Sequence, residues 1–312
     1  MSLIDQAQPK AAEPGTRRAE RWNAVASRRE ALFRETPMQT CRRLALGTAW
    51  ALRPKRIGKL WPLAKLWLSD LLAPQRALPD PNVPTDMDEF AGMIHDLSPE
   101  TLIAGYARGL FPKGHFGPLK WASPPERCVL DLRDFHISRR LRSLMRQEKY
   151  SVTFDQDFEG VIKACAGPRA GQWHLTWITP RIMRAYAALY DEGYVHSFEV
   201  WNRSGGLAGG GYGVAIGGVF FIESQFSRET NTSKLGFSVL NWHLMKWGFV
   251  LSDNKLPTPT VLQMGFRTIP RAEFLRRLAA GIAHKGKSGR WGIEAEPKRV
   301  ASWNPASEAR PA

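Results

Sequence analysis

Four residues in the C-terminal half carry the chemistry this sequence offers: Glu223, Arg228, Lys234 and Asp253. Glu223 closes one apolar run, Val219–Glu223, and Asp253 closes another, Phe249–Asp253. Between them a polar loop with Arg228 leads into Asn231-Thr232-Ser233-Lys234, which reads as a helix start. A carboxylate at a strand end can orient or deprotonate an amine, and a helix N-terminus flanked by Arg and Lys can hold an anion. Together they can handle an amine and an anion at one place. A surface hairpin with a capped helix is the reading without chemistry, and these four residues do not separate the two.

The elements that must position them are visible in the pattern. Leu207–Ile216 and Val219–Glu223 read as strands joined by Gly217-Gly218, a pair that suits a primed hairpin turn. Thr232–Trp247 reads as a long helix with Leu235, Val239, Leu240, Leu244 and Trp247 inward, ended by Gly248. Upstream, Thr179 caps a helix opened by Pro180 and closed by Gly193, with Tyr186 on its apolar side, and His196–Trp201 is a strand. Ser98-Pro99 opens an earlier helix whose buried stripe is Leu102, Ile103 and Tyr106. Cys128–Leu132 and Tyr150–Phe154 read as strands; Phe158–Ala166, Pro259–Met264 and Arg271–Leu278 read as helices. Ser138 caps a helix on which Arg139, Arg142 and Arg146 share one face. Such a stripe matches a phosphate backbone, and equally a solvated helix face.

The order from residue 180 is helix, three antiparallel strands, long helix, strand, short helix. That is an α+β layout, similar to N-acetyltransferase-like folds with a mixed sheet and helices. A smaller α/β subdomain and a basic helical extension precede it. The expected division is 1–85 for the extension, 86–178 for the N-terminal subdomain, 179–279 for the catalytic domain and 280–312 for a disordered basic tail. Within the extension, Leu63, Leu66, Trp67 and Leu71 fall at helical spacing beside Lys59 and Lys65. A helix of this kind packs on the main domain, tracks RNA or lies on an anionic membrane surface, and residues 21–72 leave all three open.

The net charge of +15 over 312 residues calls for an anionic partner, nucleic acid or membrane. Three widely spaced cysteines with no Cys/His ligand spacing imply neither a disulfide framework nor a metal site. The N-terminus lacks a signal-peptide pattern and no apolar run is long enough to span a bilayer, so the expectation is cytoplasmic. The loop before the long helix reads SRETNTSK, without the Gly-x-Gly that lets a backbone approach a pyrophosphate. Coenzyme A is therefore disfavoured as donor, and no cofactor is implied.

Several phrases then fall in one order: LFP at Leu110–Pro112, WASPPER at Trp121–Arg127, HISR at His136–Arg139, TWIT at Thr176–Thr179 and HSFEVW at His196–Trp201. GGGYGVAIGGVFFIESQFSR, the pair Ser233-Lys234, MGF at Met264–Phe266 and IPR at Ile269–Arg271 complete the series. Across about residues 90–277 the chain resembles the leucyl/phenylalanyl-tRNA–protein transferase family. The resemblance implies transfer of Leu or Phe from aminoacyl-tRNA to proteins that begin with Arg or Lys, marking them for degradation.

It also implies roles. Glu223 and Asp253 match the family's two active-site carboxylates, and Trp121 and Trp177 its tryptophans near the 3′-terminal adenosine. Phe220 matches a wall of the aminoacyl pocket, and Arg228 and Lys234 match residues at the tRNA end of the site. There are departures. Gly211 and Ser252 stand where the family has apolar pocket residues, which implies a wider and more polar pocket. Lys255 replaces a glutamine proposed to assist amine attack, Thr258-Pro259-Thr260 lacks the family's histidine, and Lys113 replaces a tryptophan. Lys255 is then an oxyanion donor, a base, or a solvated lysine. Two other classes stay open: an N-acyltransferase using another activated donor, and an inactive RNA-binding or membrane-peripheral protein.

Overall fold

The computed structural model of the protein describes residues 25–58, 60–74, 76–82, 89–114, 117–168 and 175–307. Residues 1–24, the first part of the expected 1–85 extension, lie outside them. Four helices come first: α1 (25–33), α2 (Pro37–Ala51), α3 (Pro54–Ile57) and α4 (Leu60–Leu72). Next are β1 (Phe90–Met93), α5 (Pro99–Ala107), β2 (Phe111–Lys113), β3 (Lys120–Ala122), β4 (Glu126–Asp131), α6 (Arg139–Arg146), β5 (Tyr150–Phe154) and α7 (Phe158–Ala166). The second half runs α8 (Pro180–Asp191), β6 (Val195–Asn202), β7 (Leu207–Ile216), β8 (Val219–Ser227), α9 (Thr232–Lys246) and β9 (Leu251–Lys255). It closes with α10 (Pro259–Leu262), β10 (Arg267–Pro270), α11 (Arg271–Ile282) and α12 (Pro297–Val300).

This is a mixed α+β protein with two sheets. The small one has the order β1-β3-β2 and the large one β10-β4-β9-β8-β7-β6-β5. β4 and β5 lie upstream of residue 178 yet pair into the large sheet, so only β1–β3 stand apart as a separate sheet. Neighbouring strands of the large sheet run antiparallel except β8 and β9, which are parallel because α9 carries the chain back between them.

Local chemistry sets the boundaries. Ser98, Ser138 and Thr179 each accept a backbone N–H of the first helical turn, at Thr101, Leu141 and Ile182. The hairpin turn places Gly217 at φ +55°, and a Cβ there would lie 2.2 Å from the Ile282 carbonyl oxygen, so only glycine fits. α9 is capped from outside: Asn231 makes no side-chain cap, and Ser227 at the end of β8 accepts the Ser233 N–H at 3.1 Å. Neither carboxylate ends its strand, since β8 continues to Ser227 and β9 to Lys255.

The expectation of a disordered tail from residue 280 is overturned for the described residues 280–307. Trp291 and Trp303 are buried, and their aromatic area is what holds the tail. The Trp291 ring stacks on His196 with centroids 3.6 Å apart, and the Trp291 backbone N–H donates to Asp155 at 2.8 Å. Further on, Arg142 donates to the Ala301 carbonyl at 2.7 Å. The helical stripe expected in the extension also divides. Leu63 and Leu66 pack on the core, whereas Trp67 and Leu71 are exposed. No helix among the described residues is long and apolar enough to cross a membrane.

Candidate active site

β8 alternates, as a strand must. Val219 and Phe221 belong to one core layer, Phe220 and Ile222 to the other. Glu223 shares the face of Phe221 and so meets the helices of that layer. Tyr106 from α5 donates to its Oε1 at 2.6 Å and Tyr186 from α8 to its Oε2 at 3.1 Å. The two phenol oxygens also touch each other. Burial, reinforced by the charge of Glu223, pushes both phenols well above their ordinary pKa, so they stay O–H donors at any working pH.

The parallel pairing of β8 and β9 stops at Phe221↔Asp253. Beyond it the strands part, and Lys255 bridges the opening. Its Nζ donates to Glu223 Oε1 and to the Ile222 carbonyl oxygen. The side chains of Lys255 and Glu223 are 9% and 2% exposed, so the two charges are buried together, and Lys255 is not a solvated lysine. Its backbone adopts φ +63°, a left-handed turn that an L-residue accepts only when its surroundings impose it.

Asp253 is what imposes it. The Lys255 N–H donates to Asp253 Oδ1 at 2.9 Å. Arg127 holds the same carboxylate through Nε at 2.8 Å and Nη2 at 2.7 Å, and donates a third bond to the Gly109 carbonyl. The guanidinium sits 4.7 Å from the Phe111 ring centroid and 4.4 Å from that of Phe274. Asp253 is fully buried, so it positions Lys255 and does not itself face the cleft. Burial, with Asp253's charge, pushes the neighbouring Cys128 thiol up to about 11, which keeps it protonated and unreactive.

The cleft above this cluster has a volume of about 730 Å³. Glu223, Lys255, Lys113, Trp177, Thr258 and Thr260 line it, with Phe111, Ile178, Ile222, Leu256 and Val261 as its apolar wall. Trp177 is half-buried and meets Tyr186 edge-on at 6.1 Å. Thr258 accepts the Val261 N–H as the cap of α10. A second hollow of about 920 Å³ shares Gly167, Gln225 and Ser233 with the cleft and is lined by Arg28, Lys163 and Arg228. Lys234 is half-buried in the first turn of α9.

Other expected site residues lie elsewhere. Trp121 is buried, with its ring so close to Gly105 that a Cβ there would approach it to 2.5 Å. Phe220 and Ser252 are buried and do not line the cleft. Gly211 leaves no extra room, because a Cβ there would meet the Ser224 carbonyl oxygen at 2.7 Å and the Phe198 ring at 2.8 Å. On α6, Arg142 is committed to the Ile137 and Ala301 carbonyls, while Arg139 and Arg146 are exposed and outside the cleft lining.

Sequence reasoning missed Tyr106, Tyr186 and Arg127 as parts of the site. The signal for the first two was present: a phenol on a core-facing helical stripe needs a buried hydrogen-bond partner.

Family models for the leucyl/phenylalanyl-tRNA protein transferase and for its N-terminal domain match residues 129–279 and 95–125. The leucyl/phenylalanyl-tRNA–protein transferase of Azotobacter vinelandii (strain DJ / ATCC BAA-1303) is 48% identical over 201 residues, 64% of this chain and 85% of the relative. That of Pseudomonas fluorescens (strain SBW25) is 51% identical over 180 residues, 57% of this chain and 79% of the relative. That of Alkalilimnicola ehrlichii (strain ATCC BAA-1101 / DSM 17681 / MLHE-1) is 40% identical over 227 residues, 72% of this chain and 88% of the relative. The chain belongs to the leucyl/phenylalanyl-tRNA–protein transferase family.

Proposed function

We propose that this chain is a cytoplasmic aminoacyltransferase that moves Leu or Phe from aminoacyl-tRNA to the N-terminal amine of proteins beginning with Arg or Lys. The observation that carries the reading is the Lys255–Glu223 pair at the floor of the cleft, where β8 and β9 part. A wedge between parallel strands, with α9 entering beside it, also supports the N-acetyltransferase type of sheet.

The reaction is aminolysis of an ester. The acceptor nitrogen bonds to the aminoacyl carbonyl carbon, the bond to the ribose oxygen breaks, and the proton lost by the amine ends on that oxygen. Lys255 Nζ is the donor for the developing oxyanion, because it is the cationic N–H donor of the pair and lines the cleft. Glu223 keeps that ammonium aimed, and Tyr106, Tyr186 and Asp253 fix the pair. Phe111, Ile222, Leu256 and Val261 give an apolar aminoacyl side chain its surface. Trp177 offers a face for the terminal adenine, and the hollow lined by Arg28, Lys163 and Arg228 continues toward tRNA phosphates.

The test is a transfer assay with total tRNA charged with each labelled amino acid, and peptides beginning with Arg, Lys or Ala. The expected result is transfer of Leu and Phe to the Arg and Lys peptides. No transfer from any charged tRNA would overturn the reading.

A further inference from the structure

We propose that helices α2–α4 form a docking surface for an anionic lipid bilayer, separate from the transfer cleft. α4 reads LWPLAKLWLSDLL, apolar nearly all the way round, yet none of its residues is fully buried. A helix apolar on every side is normally enclosed by other elements. Here Leu63 and Leu66 occupy the side that packs on the core, and the opposite side presents Trp61, Leu68 and Leu72, 69%, 58% and 79% exposed. α2, joined to α4 through α3, adds Met38, 80% exposed, and Leu52 follows at its C-terminal cap, 55% exposed. Among the described residues, nine of the twelve large exposed apolar side chains fall between 38 and 72. Scattered surface leucines need no explanation, but a cluster of this kind marks an interaction site.

The charges identify the occupant. Between residues 37 and 72 the sequence has seven Lys or Arg and one acidic residue, Asp70. Asp70 is taken up by His95 at 2.8 Å. Lys65 lies 5.7 Å from the centre of the Trp61 ring, so an ammonium and an indole stand side by side at the edge of the exposed face. Tryptophan beside lysine suits the headgroup level of a bilayer, where the ring enters the boundary and the ammonium meets lipid phosphate. An RNA backbone would use the cations but gain nothing from Met38, Leu68 and Leu72. A self-association patch would exclude charge from its centre rather than intersperse it. At 13 residues α4 is too short to span a bilayer, so it lies in the interface plane.

The experiment is co-sedimentation of the full chain with vesicles of phosphatidylcholine alone, or containing about one third phosphatidylglycerol. The expected result is partition into the anionic vesicles at least roughly tenfold above the neutral ones, weakened by salt. The double variant Trp61→Ser/Leu68→Ser should lose that gain and keep its transfer activity in solution, which shows that it folds. Absence of the protein from the anionic pellet would overturn the proposal. So would equal partition into both vesicle types with no effect of the variant. If the variant instead loses affinity for labelled tRNA, or turns a dimer into a monomer by sedimentation velocity while the wild type binds no vesicles, the surface belongs to RNA or to a second copy.

Discussion

Lys255 reaches back across the wedge between two parallel strands and seats its ammonium on Glu223. Both groups line the cleft and share a buried contact there. A reaction that develops negative charge on a carbonyl oxygen gains from an ammonium held in place in this way, since the donor needs no rearrangement when the charge appears. Lys255→Met is therefore expected to lower kcat by about 10²–10³ with little change in KM for aminoacyl-tRNA. Glu223→Gln acts through Lys255, so the two losses should not add. A double-mutant cycle with Lys255→Gln reads the coupling, expected at about 0.5–3 kcal/mol. Additive losses would show that the residues work separately and would remove the pair from the mechanism.

The two tryptophans implied by the family resemblance are expected to separate. Trp177 lines the cleft half-exposed, whereas Trp121 is buried against Gly105. Trp177→Ala should weaken aminoacyl-tRNA binding by about 1–3 kcal/mol, the value of one stacked base, with the fold intact. Trp121→Ala should cost about 3–5 kcal/mol of stability by leaving a cavity. Urea unfolding and donor KM, measured on both variants, check the contrast. A tRNA-binding loss from Trp121→Ala at unchanged stability would contradict it.

How much of this was legible depended on the distance over which each feature is determined. β5, β7 and α7 carry the limits read from the sequence, because caps, glycines and short-range periodicity fix them. The partners of the site are not local. Arg127 meets Asp253 across 126 positions and Tyr106 meets Glu223 across 117. Periodicity told only that Tyr106 faces inward, not what it faces. Lys255 read equally well as solvated, since the left-handed turn that aims it inward depends on Asp253, itself held by Arg127. The tail misled for a different reason. Its Gly, Pro and Ser content suggested disorder, but Trp291 and Trp303 bury enough aromatic surface to outweigh the entropy of ordering it.

That tail also carries a pH dependence. His243 donates from Nδ1 to the Val239 carbonyl at 2.7 Å, so Nε2 is free to accept the Glu294 and Ala295 N–H groups at 2.8 and 3.2 Å. The tail is thus held by the neutral imidazole. Burial lowers the His243 pKa below its ordinary 6.5, partly offset by the Val239 bond and by Glu294, with Lys287 adding to the lowering. The unfolded chain then binds more protons than the folded one just below pH 6.5, so stability rises with pH through that window. The contribution is complete above 6.5 and is lost as pH falls toward the depressed folded value. Tm measured from pH 8 down to 5 should decline over this range, and His243→Gln should flatten the decline. An unchanged profile in the variant would assign the acid sensitivity to other groups.

Gly211 is where the family resemblance and the structure give opposite advice. The resemblance implies that restoring a bulky apolar residue would rebuild an aminoacyl pocket. In the sheet, Gly211 pairs with Phe198 on one side and Gln225 on the other, and its missing Cβ leaves no void. The Ser224 carbonyl oxygen, the Gln225 Cγ and the Phe198 ring would stand 2.7, 2.8 and 2.8 Å from a Cβ. The carbonyl belongs to the β8 backbone one residue after Glu223, so relief of the clash would shift the strand that carries the site. Gly211→Leu is therefore expected to lose about 1–3 kcal/mol of stability by overpacking, with transfer of every amino acid falling together. Thermal unfolding beside a transfer assay over charged Leu-, Phe- and Met-tRNA makes the decision. A variant as stable as the wild type that gains selectivity for Leu or Phe would mean that β7 and β8 can part without cost and that Gly211 sets the donor side chain after all.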